Sequence, residues 1–229
     1  MDFFDVVQKR RSIRKFSAEK VPESIIRKAL EAATLAPNSS NAQTWDFYWV
    51  RSEDKKSKVV DACLNQSAAR TAGEIIVITA NPKNWKRSQQ ELVAYAKSVK
   101  APPTVIKYYE YAFPAMYKTG IYSIFKKVGF FVAGLFTPIM RRPASKRDVE
   151  EVCLKSATLA CENFVLAITA QGYDTCMMEG FDEVRLKKAL SLKCSDRIAM
   201  VIAVGKSTER GTWGPQFRIS NDKVIHEVY

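Results

Sequence analysis

Histidine is almost missing from this chain: its 229 residues contain one, His226. Ser-His-Asp and Cys-His catalysis both need an imidazole beside a nucleophile, and most catalytic zinc sites use one as a ligand. None of these chemistries is supported, and no metal site is expected. The five cysteines (Cys63, Cys153, Cys161, Cys176 and Cys194) are odd in number and form no CxxC pair. They read as reduced, mostly buried small hydrophobes rather than as a disulfide framework or a metal cluster. Nine glycines and nine prolines are too few for a fibrous or disordered chain. No GxGxxG follows a strand pattern, so a Rossmann nicotinamide site is unsupported. Gly205-Lys206-Ser207-Thr208 imitates the end of a P-loop, but the glycine required five residues earlier is Met200. The opening residues Met1–Asp5 carry no charged-then-apolar leader, which makes a cytoplasmic protein the expectation.

Acidic residues are nearly absent from one stretch. Between Pro82 and Arg147 there are 13 Lys or Arg against Glu91 and Glu110, which accounts for +11 of the net charge of +12. A near-neutral globular body carrying one basic segment is not the footprint of a uniformly basic nucleic-acid binder. The length and 47% hydrophobic content suffice for one substantial core, read as a single domain over residues 1–229 with an insertion at about 82–147.

The patterning outside that segment is mixed helix and strand. Residues 2–11 look helical. Pro22 opens a second helix, on which Ile25, Ile26, Ala29, Leu30 and Ala33 recur at helical spacing. Trp45–Val50 alternates as a strand, helical segments fall around 53–71, and Ile75–Ile78 reads as a buried strand. Asp148–Gln171 predicts a long apolar helix stopped at Gly172. It is followed by a strand over Tyr173–Met178, a helix capped by Asp182 and running to about Leu190, and a strand over Ile198–Val204.

Five short stretches carry chemistry. Arg10-Arg11-Ser12-Ile13-Arg14 packs three guanidinium groups and a hydroxyl together, and guanidinium forks match phosphate oxygens. A solvated helix end is the alternative for a basic triplet. Asn38-Ser39-Ser40-Asn41-Ala42-Gln43 offers short amides and hydroxyls to a planar polar ring, or is an ordinary polar turn. Asn65-Gln66 offers amide donors and acceptors. Glu179-Gly180-Phe181-Asp182 joins a strand to a helix, where a glycine lets backbone N–H groups approach a ligand. Arg218 adds a late guanidinium.

In this order, these stretches resemble the nitroreductase family of FMN-dependent oxidoreductases. The resemblance spans roughly residues 1–81 and 148–229, and Pro37–Trp45 is similar to the family's Pro-Ser-Ser-x-Asn-x-Gln-Pro-Trp loop. It implies an α+β fold of three layers (α/β/α), with a central mixed sheet, in an intertwined homodimer. It also implies that Arg10, Arg11, Ser12, Arg14 and Arg218 hold the FMN phosphate and ribityl chain, and that Asn65 meets the pyrimidine edge. Backbone groups of Glu179 and Gly180 would meet N5 and O4, while Asn38, Ser39, Ser40, Asn41 and Gln43 reach the flavin of the partner subunit. NAD(P)H would be the co-substrate and a nitroaromatic, quinone or similar small molecule the acceptor, in a ping-pong cycle where the flavin carries the chemistry and no side chain is a catalytic residue. Asn38 stands for the first loop serine, Thr44 for the proline before Trp45, and Gln216 where some relatives place a base. A specialised member of the same fold (a reductive dehalogenase or a flavin-consuming enzyme) is one alternative. A non-redox basic protein that binds membrane or nucleic acid is the other.

The insertion at 82–147 holds eleven Tyr and Phe, and its apolar run Val128–Met140 lies between Lys126-Lys127 and Arg141-Arg142. Thirteen residues are too few to span a bilayer, which takes about 20. The segment reads as a lid over the flavin, as a helical extension packed on the body, or as a peripheral membrane contact through 120–140.

Overall fold

The structure, a computed structural model, describes residues 2–229. Four strands form one sheet: β1 (Trp45–Trp49), β2 (Glu74–Ala80), β3 (Asp174–Met178) and β4 (Arg197–Gly205), in the order β1-β2-β4-β3. Every neighbouring pair is antiparallel. The mixed character expected of the sheet reduces to one parallel bridge, Ser12 to Thr175. The chain leaves the edge of β3 after that bridge and Phe16 pairs antiparallel with Ser207.

The central pair β2–β4 shows why the sheet sits in the middle layer. Their buried residues divide by parity: Ile76, Ile78, Ile202 and Val204 face one core, and Ile75, Val77, Val201 and Ala203 face the other. The period-two pleat puts successive side chains on opposite faces, so an uninterrupted apolar run needs helices on both sides. The first core is covered by α2 (Glu23–Thr34) and α9 (Lys146–Ala170). The second is covered by α3 (Glu53–Ala62), α4 (Ser67–Thr71) and α10 (Glu183–Leu190). This is the three-layer α+β arrangement, preceded by the short helix α1 (Phe3–Lys9).

Helix α9 is long and apolar enough to cross a membrane by composition alone, yet half of its apolar window is buried, Phe164 and Ile168 completely. Its start is fixed by a capping box: Ser145 Oγ accepts from the Asp148 N–H, and Asp148 Oδ2 accepts from the Ser145 N–H at 2.9 Å.

The insertion divides in two. Its first half, α5 (Trp85–Ser98), α6 (Pro103–Lys107), a π turn (Tyr108–Ala112) and α7 (Phe113–Tyr117), packs onto the first core through Trp85, Phe113 and Tyr117. Their rings are 5.0–6.4 Å apart between centroids. Its second half, with α8 (Tyr122–Ala133), buries no residue of that helix.

Candidate functional site

Arg10, at the C-terminal end of α1, starts a segment clamped from two sides. The Ile13 N–H donates to Thr175 O at 2.9 Å, and the Arg14 N–H donates to Gly211 O at 2.6 Å. Ile13 and Phe16 are buried between these neighbours, so Ser12 and Arg14, on the alternate positions, turn outward. Two glycines permit the close approach. A Cβ on Gly205 would meet the Phe16 ring at 2.8 Å, and one on Gly211 would meet Ile13 Cγ2 at 3.1 Å.

The chain then runs from Gly211 through Arg218 across the front of this segment. A cavity of about 450 Å³ lies between them, lined by Arg10, Arg11, Ser12 and Arg14 on one side and Thr212–Arg218 on the other. Arg11 Nη2 donates to Gly214 O at 2.5 Å, across 203 residues of sequence. The Arg14 guanidinium carbon lies 4.6 Å from the centroid of the Trp213 ring. Four of the five residues expected to hold a phosphate thus bring guanidinium groups to one cavity, and the fifth brings a hydroxyl. Among the described residues none of these four arginines has an ion-pair partner, and no carboxylate lines the cavity. Like charges concentrated without counter-charges are unfavourable unless an anion completes them.

The other expected residues form two separate groups. Glu179 and Gly180 are exposed just beyond β3, and Gln66 braces them: its Nε2 donates to Gly180 O at 2.6 Å and to Cys63 O at 3.0 Å. Asn65, exposed and left-handed at φ 53°, is the neighbour of that brace. Sequence reading paired Asn65 with Gln66 but missed that the second amide is committed to the glycine turn.

The loop Asn38–Gln43 does not line the arginine cavity within the chain. It sits against α9 and the insertion, with Ser40, Asn41 and Gln43 all at positive φ. Non-glycine residues adopt that conformation uncommonly, asparagine most readily among them, and local hydrogen bonds hold it in this loop. Here Asn38 Oδ1 accepts from the Gln43 N–H at 2.9 Å, and Gln43 Nε2 donates to Asn41 Oδ1 at 3.1 Å. Ser40 Oγ and the Tyr108 hydroxyl are hydrogen-bonded at 2.7 Å.

Sequence reading singled out Gln216 and Arg218 but missed the part of the Thr212–Arg218 wall around Trp213. The signal was Gly211-Thr212-Trp213-Gly214-Pro215, which argued only against a P-loop, although a tryptophan and two glycines beside Arg218 mark a close backbone approach. The thiols offer no nucleophile among the buried cysteines. Burial pushes Cys63 and Cys153 up to about 11 and Cys161 up to about 12, and it raises Cys176 as well.

The sequence profile of the nitroreductase family matches residues 7–206. Protein DrgA of Synechocystis is 28% identical over 210 residues, covering 91% of this chain and 86% of that protein. A Thermus thermophilus protein named NADH dehydrogenase is 24% identical over 217 residues, 95% of this chain and 91% of its own. Among solved structures, an FMN complex from Exiguobacterium sibiricum superposes with a TM-score of 0.75 at 23% identity, covering 100% of this chain and 98% of that one.

Proposed function

The chain belongs to the nitroreductase family, and from that premise we propose that it is an FMN-dependent oxidoreductase drawing on NAD(P)H. The observation that carries this reading is the cavity where Arg10, Arg11, Arg14 and Arg218 converge with no carboxylate side chain in its lining. Its donor set fits the phosphate end of FMN: planar guanidinium forks, the Ser12 hydroxyl, and no carboxylate to repel a dianion. The remainder of the flavin would extend toward the Glu179-Gly180 turn. The peptide N–H groups of Glu179 and Gly180 would there stabilise negative charge on a ring edge, with Asn65 at the pyrimidine side. When bound, FMN supplies the redox chemistry, taking hydride from a nicotinamide and passing it to a small acceptor such as a nitroaromatic or quinone in a ping-pong cycle.

This chain's own work is binding and orientation. Gln66 holds the Gly180 carbonyl and so fixes the direction of the neighbouring peptide. Trp213 holds the Arg14 guanidinium plane. The pre-shaped loop Asn38–Gln43 has amides and hydroxyls and lies outside the arginine cavity of its own chain, and we assign it to the flavin of a second protomer in a homodimer.

The test is the visible spectrum of the purified protein, with the released cofactor identified by chromatography. A flavin absorbance and FMN in the extract are expected. Replacing Arg10 or Arg14 by alanine removes a charge-assisted hydrogen bond of about 1.5–3 kcal/mol, roughly 10- to 150-fold in affinity. Wild-type flavin occupancy in the Arg10→Ala, Arg14→Ala double variant would overturn the phosphate assignment.

A further inference from the structure

Helix α8 is inside out for a helix on a water-soluble body. At about 100° per residue, Ile121, Ile124, Phe125, Val128, Phe131, Val132 and Leu135 fall on one arc, and each is between 49% and 68% exposed. The opposite arc faces the body: Ser123 and Phe130 are half-buried, and Lys126 Nζ donates to Met116 O at 2.9 Å and to Lys118 O at 2.7 Å. An ordinary surface helix buries its apolar stripe and shows its lysines. Here the lysine is turned in and the stripe out.

The rim of the stripe is cationic. From Tyr111 to Arg147 there is no acid and there are seven Lys or Arg. The Lys118 ammonium lies 5.8 Å from the Tyr122 ring centroid, and Arg141 Nη2 donates to Gly134 O at the helix end.

We propose that α8 and its flanks dock the protein on an anionic bilayer surface, with the helix lying in the plane of the interface. The apolar arc is matched by acyl chains and the cationic rim by anionic headgroups, the pairing by which interfacial helices bind. A second copy of this face is the poorer occupant, because joining two would bring both cationic rims together. The helix does not cross: its twelve residues extend about 18 Å at 1.5 Å each, against a hydrocarbon core of about 30 Å. The docking is separate from flavin binding, since no residue of the arginine cavity lies in this segment.

The experiment is sedimentation of the full chain with phosphatidylcholine vesicles and with phosphatidylcholine/phosphatidylglycerol vesicles. Binding to the anionic vesicles is expected, with little to the neutral ones, and it should weaken as salt is raised. Phe125→Ser with Phe131→Ser is expected to lower that binding by at least about tenfold. Lys118→Gln and Lys127→Gln should each lower it by about fivefold. Thermal unfolding and cofactor content of these variants should stay at wild-type values, because the exchanged side chains are exposed. Wild-type protein left in the supernatant with anionic vesicles overturns the proposal. So does a phenylalanine pair variant that still binds as wild type, which would mean charge adsorption alone. A halved solution mass on that double substitution would instead make the face a contact between copies.

Discussion

Arg14 carries charge, a planar fork and a stacking surface at once, and these can be separated by substitution. Arg14→Lys keeps the charge but loses the fork and the plane held by Trp213. It is expected to release bound flavin more readily than wild type and less readily than Arg14→Ala. Trp213→Ala removes the stacking partner and keeps the arginine, and the stacking is worth about 0.5–1 kcal/mol at an exposed site, or roughly two- to fivefold in affinity. Flavin fluorescence on dilution measures all three, and a lysine variant as tight as wild type would show that charge alone suffices. The cysteines give a second prediction. Cys194 is exposed, whereas the other four are buried with their thiols pushed upward by that burial. An aromatic disulfide reagent at neutral pH should titrate one thiol quickly in the native protein and all five after unfolding.

The capping box of α9 is an element-scale device with a pH signature. Asp148 accepts hydrogen bonds from the backbone of Ala144 and from Ser145, and these hold its carboxyl below the ordinary aspartate value. A carboxyl whose folded pKa is depressed contributes stability above its unfolded pKa, and loses that contribution as pH falls through the folded value. Asp148→Asn should therefore flatten the loss of stability on acidification below the ordinary aspartate range, measured by urea unfolding at a series of pH values. Ser145→Ala should cost about 1 kcal/mol at neutral pH. At this scale much of the fold was legible before any coordinates. Pro22, Gly172 and Asp182 punctuate helices, and Ile75–Ile78 reads directly as a doubly buried strand. The insertion was not legible. Its aromatics are too dense for a single period, and the division at Tyr117 follows from which rings find the core through Trp85 and Phe113. That is a tertiary choice with no local signal.

At the scale of the molecule, the arginine cluster was readable because its residues are consecutive, and Arg218 with it, but the wall around Trp213 was not, because closure depends on a strand edge and on Gly205 and Gly211, which lie far along the chain from the arginines. The assignment of Asn38–Gln43 to a second protomer predicts a homodimer of about twice the 25.9 kDa chain mass in sedimentation at micromolar concentration. Mixing an Arg10→Ala, Arg14→Ala chain with a Ser39→Ala, Ser40→Ala chain should regenerate intact sites in heterodimers and raise flavin content above that of either parent. No gain on mixing would place the loop and the arginines in one chain's site or in none. The span of 203 residues between Arg11 and Gly214 also sets a clock during synthesis. At roughly 5–20 residues per second, the far wall emerges about 10–40 s after the arginines, when α1 and both cores already have their sequence in place. Through that interval the nascent chain displays the arginines without the wall that Thr212–Arg218 supplies, so the complete phosphate cavity forms only as synthesis nears its end.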